Sequence, residues 1–135
     1  MTEGRERRYN QRHQFPDSNV FCQENAGLGI FKQFSEPFPL IDLTKSGLGF
    51  QTNKDLGYGD KVHLKIEIPG YQKIHVIGEI RWVSTIDKSN QKNVGVQFLP
   101  FGKMKGYNSF SAREKLESLI NPLEQTKPPQ KEMLQ

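Results

Sequence analysis

Apolar and polar residues alternate along two long segments in the middle of the chain, residues 61–68 and 73–83. A side-chain period of two is typical of a β-strand that buries one face and exposes the other. Pro69-Gly70 lies between the two segments and predicts a hairpin turn. The positions assigned to the buried faces are Val62, Leu64, Ile66, Ile68, Ile74, Val76, Gly78, Ile80 and Trp82.

Shorter apolar segments complete the set of predicted strands. They are residues 20–22, 38–43, 48–52 and 94–99, and the residues between them favour turns. The segment Gly27-Leu28-Gly29-Ile30-Phe31 fits either an irregular strand or a loop. The chain is therefore predicted to be mainly β.

Two residues of the segment 73–83 carry specific expectations. Gly78 interrupts the strand where a β-bulge or a sharp bend would fit, as the corners of small barrels require. Trp82 falls on the apolar side of the alternation, which predicts a core residue rather than a platform for a ligand.

A helical period appears only near the C-terminus. Ser111-Ala112-Arg113-Glu114 has the capping-box pattern, in which a hydroxyl is followed three residues later by glutamate. Pro122 is expected to end the helix. The apolar stripe at helical spacing, which we expect to pack on the sheet, consists of Ala112, Leu116, Leu119 and Ile120.

These elements predict one small antiparallel barrel followed by one helix. Closing the strands into a barrel removes exposed sheet edges. We expect residues 1–14 to form a flexible basic arm, residues 15–121 to form the barrel with its terminal helix, and residues 122–135 to form a disordered tail.

Composition narrows the functional classes without selecting one. The chain of 135 residues suits one domain, and its net charge of +4 favours an anionic partner such as a nucleotide, a nucleic acid or an acidic protein. No apolar run approaches the ~20 residues that span a bilayer. The N-terminal residues have no apolar segment behind them, so no signal peptide is expected. We expect a cytoplasmic protein.

The candidate chemistry lies in two separate polar segments. Arg8 and Arg12 have guanidinium groups that match phosphate oxygens and the outer edge of guanine. Asp42 could accept hydrogen bonds from the N–H groups of guanine or orient an arginine. Thr44 could donate a hydrogen bond to a phosphate or a base. Gly47 lets backbone N–H groups approach a ligand closely and could form part of an anion-binding nest. Taken residue by residue, the same pattern also fits a solvated arm and an ordinary turn.

Arg8-x-x-x-Arg12 followed by Asp42-x-Thr44-x-x-Gly47 resembles the PilZ family. The pattern of that family is Arg-x-x-x-Arg and then Asp/Asn-x-Ser-x-x-Gly on a barrel strand. Thr44 departs from the usual serine but keeps the hydroxyl. Two further segments similar to the closing strands of the family are residues 78–83 and 94–98.

The resemblance implies a six-stranded PilZ-type β-barrel with a C-terminal α-helix that binds the bacterial second messenger cyclic di-GMP. By position, Arg8 and Arg12 of the arm would bind the phosphate and guanine groups of the ligand, and the adjacent Arg7 would add a further contact. Asp42, Thr44 and Gly47 would hold it on the barrel. The expected function is a receptor that acts as an adaptor for a protein effector, in motility, matrix export (biofilm) or gene regulation.

Two other functions remain open. A PilZ-like adaptor could bind only protein and no nucleotide. A small nucleic-acid-binding barrel would fit the charge, but such barrels stack bases on exposed aromatic residues, and both Trp82 and Phe98 are predicted to lie on apolar faces.

An enzyme is not expected, because the sequence offers no nucleophile with a base and no paired carboxylates near a histidine. No cofactor and no metal are expected either. His13, His63 and His75 lack the spacing of metal ligands, and the single cysteine, Cys22, is expected to be a small buried residue.

Overall fold

The computed structural model of the protein describes residues 12–27, 30–31, 33–86 and 90–124. Seven strands and one helix lie in these ranges. They are β1 (Asn19–Gly27), β2 (Ile30–Phe31), β3 (Phe38–Leu43), β4 (Gly47–Thr52), β5 (Lys61–Glu67), β6 (Ile74–Thr85), β7 (Lys92–Phe98) and α1 (Phe110–Glu124).

Six of the strands form a closed antiparallel barrel. The order around the barrel is β1-β3-β4-β7-β6-β5, and β5 pairs back with β1. The short strand β2 stays outside this ring and pairs with β1 at Asn25 and Gly27. The predicted six-stranded barrel with a C-terminal helix is therefore confirmed. Of the ambiguous segment 27–31, Gly27 ends β1, and Ile30 and Phe31 form the strand that pairs with it.

The interior of the barrel is filled by the alternating apolar residues of its strands. In β5 every second residue is buried, as the sequence pattern predicts. Phe38 of β3 stacks on Phe50 of β4 across the interior, with ring centroids 6.1 Å apart. The largest side chains that are fully buried are Phe50, Leu43, Leu64, Ile66, Ile74, Ile80, Leu116, Leu119, Ile120, Val20, Val62 and Val76.

Helix α1 packs against the barrel and contacts β6. The four residues of its predicted apolar stripe are all buried, which confirms the stripe. Its ends differ from the prediction. Ser109 caps the helix, because its Oγ accepts the N–H of Ala112 at 3.1 Å, so Ser111 lies inside the first turn. The helix also continues past Pro122 to Glu124, beyond the predicted end.

The bulge in β6 lies further along the strand than the sequence predicted. The pairing with β7 shifts by one residue between Ile80 and Trp82, not at Gly78. A Cβ at Gly78 would lie 2.7 Å from the backbone oxygen of Gln97, so this glycine allows a close approach of β7. The extra residue reverses the phase of the alternation, and Trp82 is 47% exposed. The prediction that Trp82 belongs to the core is wrong for this reason.

The described residues cover only part of the predicted arm and tail. Residues 1–11 and 125–135 lie outside them. Within the arm, the backbone of His13 pairs with Leu43 of β3. No helix in the described part of the chain combines the length and the apolar character that crossing a bilayer requires.

An aromatic cluster covers the outer face of β1, β5 and β6. The ring of Phe34, which precedes β3, lies 5.4 Å from that of His63 and 6.0 Å from that of His75. The Nζ of Lys65 lies over the rings of Phe21 and Phe34. Burial lowers the pKa of His63, with His75 as the second cause. Burial also lowers the pKa of His75, and then Lys65, Lys115 and Lys73 lower it further.

We expect the free energy of unfolding to decrease as the pH falls below 6.5, the ordinary pKa of histidine. The unfolded chain protonates its histidines at this pH. The fold resists protonation of His63 and His75 first because both are partly buried, then because His75 faces His63 and three lysines face His75. Urea unfolding of the wild type and the His63→Gln/His75→Gln variant at about pH 7 and about pH 5 measures this effect. Identical pH slopes in the two proteins would contradict it.

Candidate functional site

The β3–β4 turn is closed by the hydroxyl of Thr44. Its Oγ accepts the N–H of Ser46 at 3.1 Å and the N–H of Gly47 at 3.0 Å, and lies 3.2 Å from the carbonyl oxygen of Gly47. The N–H of Thr44 also donates to that carbonyl at 2.8 Å. This is the local side-chain bond by which serine and threonine favour turns. The N–H groups predicted to form an anion nest therefore donate to Thr44 in this conformation.

Gly47 is required by the barrel itself. A Cβ at this position would overlap the carbonyl oxygen of Val96 on the neighbouring strand β7. The glycine thus lets β4 pair closely with β7 directly after the turn. A contact between Gly47 and a ligand stays a prediction.

We call the chain before β1, residues 1–18, the leader. Its described part, from Arg12 onward, contacts β3. Just before the first residue of β1, the carbonyl of Ser18 accepts the N–H of Leu40 at 3.1 Å. Further along, His13 and Leu43 exchange two backbone hydrogen bonds of 2.9 Å. These bonds extend the antiparallel pairing of β1 with β3 toward the Thr44 turn. They place the beginning of the described chain next to Asp42.

Arg12 and Asp42 form an ion pair across this junction. The Nη1 of Arg12 lies 3.6 Å from the Oδ2 of Asp42. The arginine side chain is 72% exposed, whereas the carboxylate is only 20% exposed because it lies against the barrel. Because the guanidinium lies largely in solvent, such a pair is worth about 0–1 kcal/mol, so little free energy opposes its opening.

The structure brings together four of the six predicted site residues. Arg12, Asp42, Thr44 and Gly47 lie at the junction of the leader and the β3–β4 turn. Arg7 and Arg8 lie outside the described residues, so their place in the site stays a prediction.

A strip of small residues extends from Asp42 across the outer face of the barrel. Asp42 pairs with Gly49, Gly49 with Gly95, and Gly95 with Trp82. The Oδ1 of Asp42 lies 3.0 Å from where a Cβ of Gly49 would be, and the indole of Trp82 occupies the place of a Cβ on Gly95. The carboxylate and the indole therefore lie against the sheet, each above a glycine. We call the row Asp42, Gly49, Gly95 and Trp82 the glycine strip.

The arrangement combines the chemical groups that a nucleotide needs. Arg12 presents donors to an anion or to guanine O6 and N7, and Asp42 presents acceptors to N–H groups. Trp82 offers an aromatic face on which a base can stack. The two glycines keep the surface between them free of side chains.

Trp82 and Gly95 were missed by the sequence reasoning, and Gly49 was not among the predicted site residues. A β-bulge changes the face of the sheet on which the following residues lie. The bulge in β6 is at Arg81, and arginine is not a residue type that indicates a bulge. The adjacent apolar residues Trp82 and Val83 break the alternation, and this break was the available signal. The pairing of Gly49 with Gly95 depends on the register of β4 with β7, which a single sequence does not display.

Other reactive groups in the described part of the chain show no second site. No three histidine, cysteine or acidic side chains there lie close enough to hold a metal ion. Cys22 is buried in the core, and burial raises the pKa of its thiol to about 12. The thiol is therefore protonated and shielded at neutral pH.

A family model, the PilZ domain, matches residues 6–104. The chain belongs to the PilZ domain family. The match begins in the leader and includes the whole glycine strip, so both halves of the candidate site lie inside the family region. No curated protein matches the chain.

Solved structures share the fold of this PilZ domain. YcgR of Escherichia coli, solved in complex with c-di-GMP, has a TM-score of 0.61 at 19% identity, over 89% of this chain and 47% of that one. The K. pneumonia MrkH–c-di-GMP complex has a TM-score of 0.57 at 15% identity, over 84% of this chain and 51% of that one. The inhibitor of motility MotI/DgrA of Bacillus subtilis has a TM-score of 0.55 at 13% identity, over 90% of this chain and 53% of that one. The chain spans about half the length of these proteins.

We expect Gly95→Ala to displace the indole of Trp82, because the new methyl group would occupy its position. Trp82 is the single tryptophan, so intrinsic fluorescence reports the change directly, as a red shift of the emission. Gly57→Ala is the matched control, because its Cβ would have only the Oδ2 of Asp60 near it, at 3.9 Å. Equal spectra for both variants would contradict the overlap.

Proposed function

We propose that this PilZ domain is a bacterial cyclic di-GMP receptor that acts as an adaptor in the cytoplasm. The observation that carries the proposal is the Arg12–Asp42 ion pair at one end of the glycine strip. It puts a guanidinium of the leader and a carboxylate of the barrel at the same place. Cyclic di-GMP carries both phosphate and guanine, which are the partners of these two groups.

In the proposed binding step, the ligand enters between Arg12 and Asp42. The guanidinium exchanges its carboxylate partner for a phosphate or for guanine O6 and N7, and Asp42 accepts from the N–H edge of guanine. Because the guanidinium of the existing ion pair lies largely in solvent and the pair is weak, the exchange loses little free energy. Arg7 and Arg8 are proposed to add further cationic contacts from the leader.

Trp82 is proposed as a stacking surface for a guanine at the other end of the glycine strip. Its face is half exposed and its position is held by the absence of a side chain on Gly95. Stacking of a base on an aromatic side chain is worth about 1–3 kcal/mol. Asp42 and Trp82 would therefore select a flat, hydrogen-bonding base.

The adaptor step follows from the position of the leader. His13 and Ser18 are already hydrogen-bonded to β3, so a ligand would order the part of the leader that precedes Arg12 over the turn. The changed surface would be offered to a protein effector in motility, biofilm formation or gene regulation. This is a switch by ordering a segment.

A PilZ domain that binds only protein is the second candidate. The observation in its favour is that the Thr44 hydroxyl and the N–H groups of Ser46 and Gly47 are already bonded inside the turn. A nucleotide would then depend on Arg12, Asp42 and Trp82 rather than on the nest.

We expect the protein to release or absorb heat on titration with cyclic di-GMP and not with GTP or cyclic di-AMP. Arg12→Ala and Asp42→Ala should each weaken binding about tenfold or more, because each removes one hydrogen-bonding partner of guanine or phosphate. Lys61→Ala is the control, since it removes an exposed cation outside the site. Absence of heat with folded wild-type protein would refute the receptor and leave the protein-only adaptor.

Trp82→Ala should weaken cyclic di-GMP binding about tenfold and leave the fold intact, because the side chain is half exposed. In the wild type, the ligand should quench the tryptophan fluorescence. Tyr58→Ala, which removes an exposed aromatic residue outside the glycine strip, should bind as the wild type does. Unchanged affinity of the Trp82→Ala variant would remove the indole from the proposed site.

A further inference from the structure

The connection between β7 and α1, together with the first residue of α1, exposes three large apolar side chains that are close in sequence. Met104 is 67% exposed, Tyr107 39% and Phe110 46%. They account for three of the seven exposed large hydrophobic residues in the described part of the chain, and they lie within one short segment. Isolated exposed apolar residues need no explanation, but a cluster of them marks an interaction surface.

This connection is held in one conformation by Asn108. Its side chain is buried, its Oδ1 accepts the N–H of Ile77 at 2.7 Å, and its Nδ2 donates to the carbonyls of Ile77 and Leu99 at 2.9 Å. The backbone of Asn108 also bonds to Pro100 and to Gly102. The exposed residues therefore project from a rigid base.

The cations of the segment lie beside its apolar residues. Lys103 and Lys105 flank Met104, and no acidic residue occurs from Pro100 to Arg113. Residues 103–107 are all exposed. Gly106 has a φ of 86°, and a Cβ there would have nothing within 4 Å. The segment is thus a convex, cationic and apolar tip.

We propose that residues 103–110, the contact tip, dock this protein reversibly on an anionic lipid surface. Lys103 and Lys105 pair with headgroup phosphates, while Met104, Tyr107 and Phe110 enter the interface between headgroups and acyl chains. Lysines and aromatic residues are the side chains that such interfaces favour. A fluid bilayer accepts a convex tip without a complementary pocket, which an acidic protein would have to supply.

The contact tip is joined to the ligand turn by a short path. The N–H of Phe98, just before the connection, donates to the carbonyl of Ser46 at 2.8 Å. The lipid contact itself does not depend on cyclic di-GMP, so its test is independent of the proposed receptor function.

The test is sedimentation of the full-length protein with vesicles in the absence of nucleotide. We expect binding to vesicles of equal parts phosphatidylglycerol and phosphatidylcholine, loss of binding at high salt, and none to phosphatidylcholine alone. Lys103→Gln/Lys105→Gln should weaken binding about thirtyfold, since each lysine near an anionic surface contributes about a factor of five. Met104→Ser should weaken it about fivefold.

The control variant Lys61→Gln/Tyr58→Ser removes one exposed lysine and one exposed aromatic residue elsewhere, and it should bind as the wild type does. Failure to bind anionic vesicles would overturn the lipid proposal and direct attention to an acidic protein. Binding that is unchanged in the tip variants but lost when the leader arginines are replaced would overturn it as well.

A polarity-sensitive dye gives a second readout at the tip itself. Cys22 is only 3% exposed and its thiol is shielded in the core, so a thiol dye should label an introduced cysteine selectively. Dye on Met104→Cys should shift to the blue with anionic vesicles, because its surroundings become apolar. Dye on Tyr58→Cys should not shift, and equal shifts at both positions would contradict docking through the tip.

Discussion

The antiparallel pairing of β1 with β5 closes the sheet, and the position of the candidate site depends on it. Six consecutive residue pairs, from Asn19 with Glu67 to Glu24 with Val62, join the first strand of the ring to β5. Near Asn19 the same strand pairs with β3 as well. The chain preceding Asn19 bonds to β3 at Ser18, and it reaches Leu43 at His13. Closure of the barrel therefore places Arg12 beside Asp42, and this placement does not depend on a strong contact between the two side chains.

The outer face of the barrel is shaped by residues that lack side chains. Gly47 and Gly78 permit close strand approach, while Gly49 and Gly95 leave room for the groups of neighbouring strands. A one-residue bulge then turns Trp82 outward over Gly95. The surface proposed for the ligand is thus shaped by backbone packing, and a carboxylate and an indole lie at its two ends.

The parts of the molecule differ in how firmly they are held. Thr44 closes its turn with several hydrogen bonds, and Asn108 fixes the connection before α1 in the same way. By contrast, the Arg12 side chain is exposed, and its Nη1 contacts the Asp42 carboxylate at 3.6 Å. A rigid frame with one weakly held junction is the arrangement that a ligand-operated switch requires, because the ligand then acts on the junction and not on the fold.

The sequence by itself determined the strands, the barrel and the apolar stripe of the helix. These follow from the periods of apolar residues, which are local properties, and the motif around Asp42 identified the turn. Only the tertiary structure decided that Trp82 faces outward, that Gly49 and Gly95 are neighbours, and that Ser109 rather than Ser111 caps the helix. Strand register and bulges arise from contacts between residues distant in the chain, so no local pattern records them.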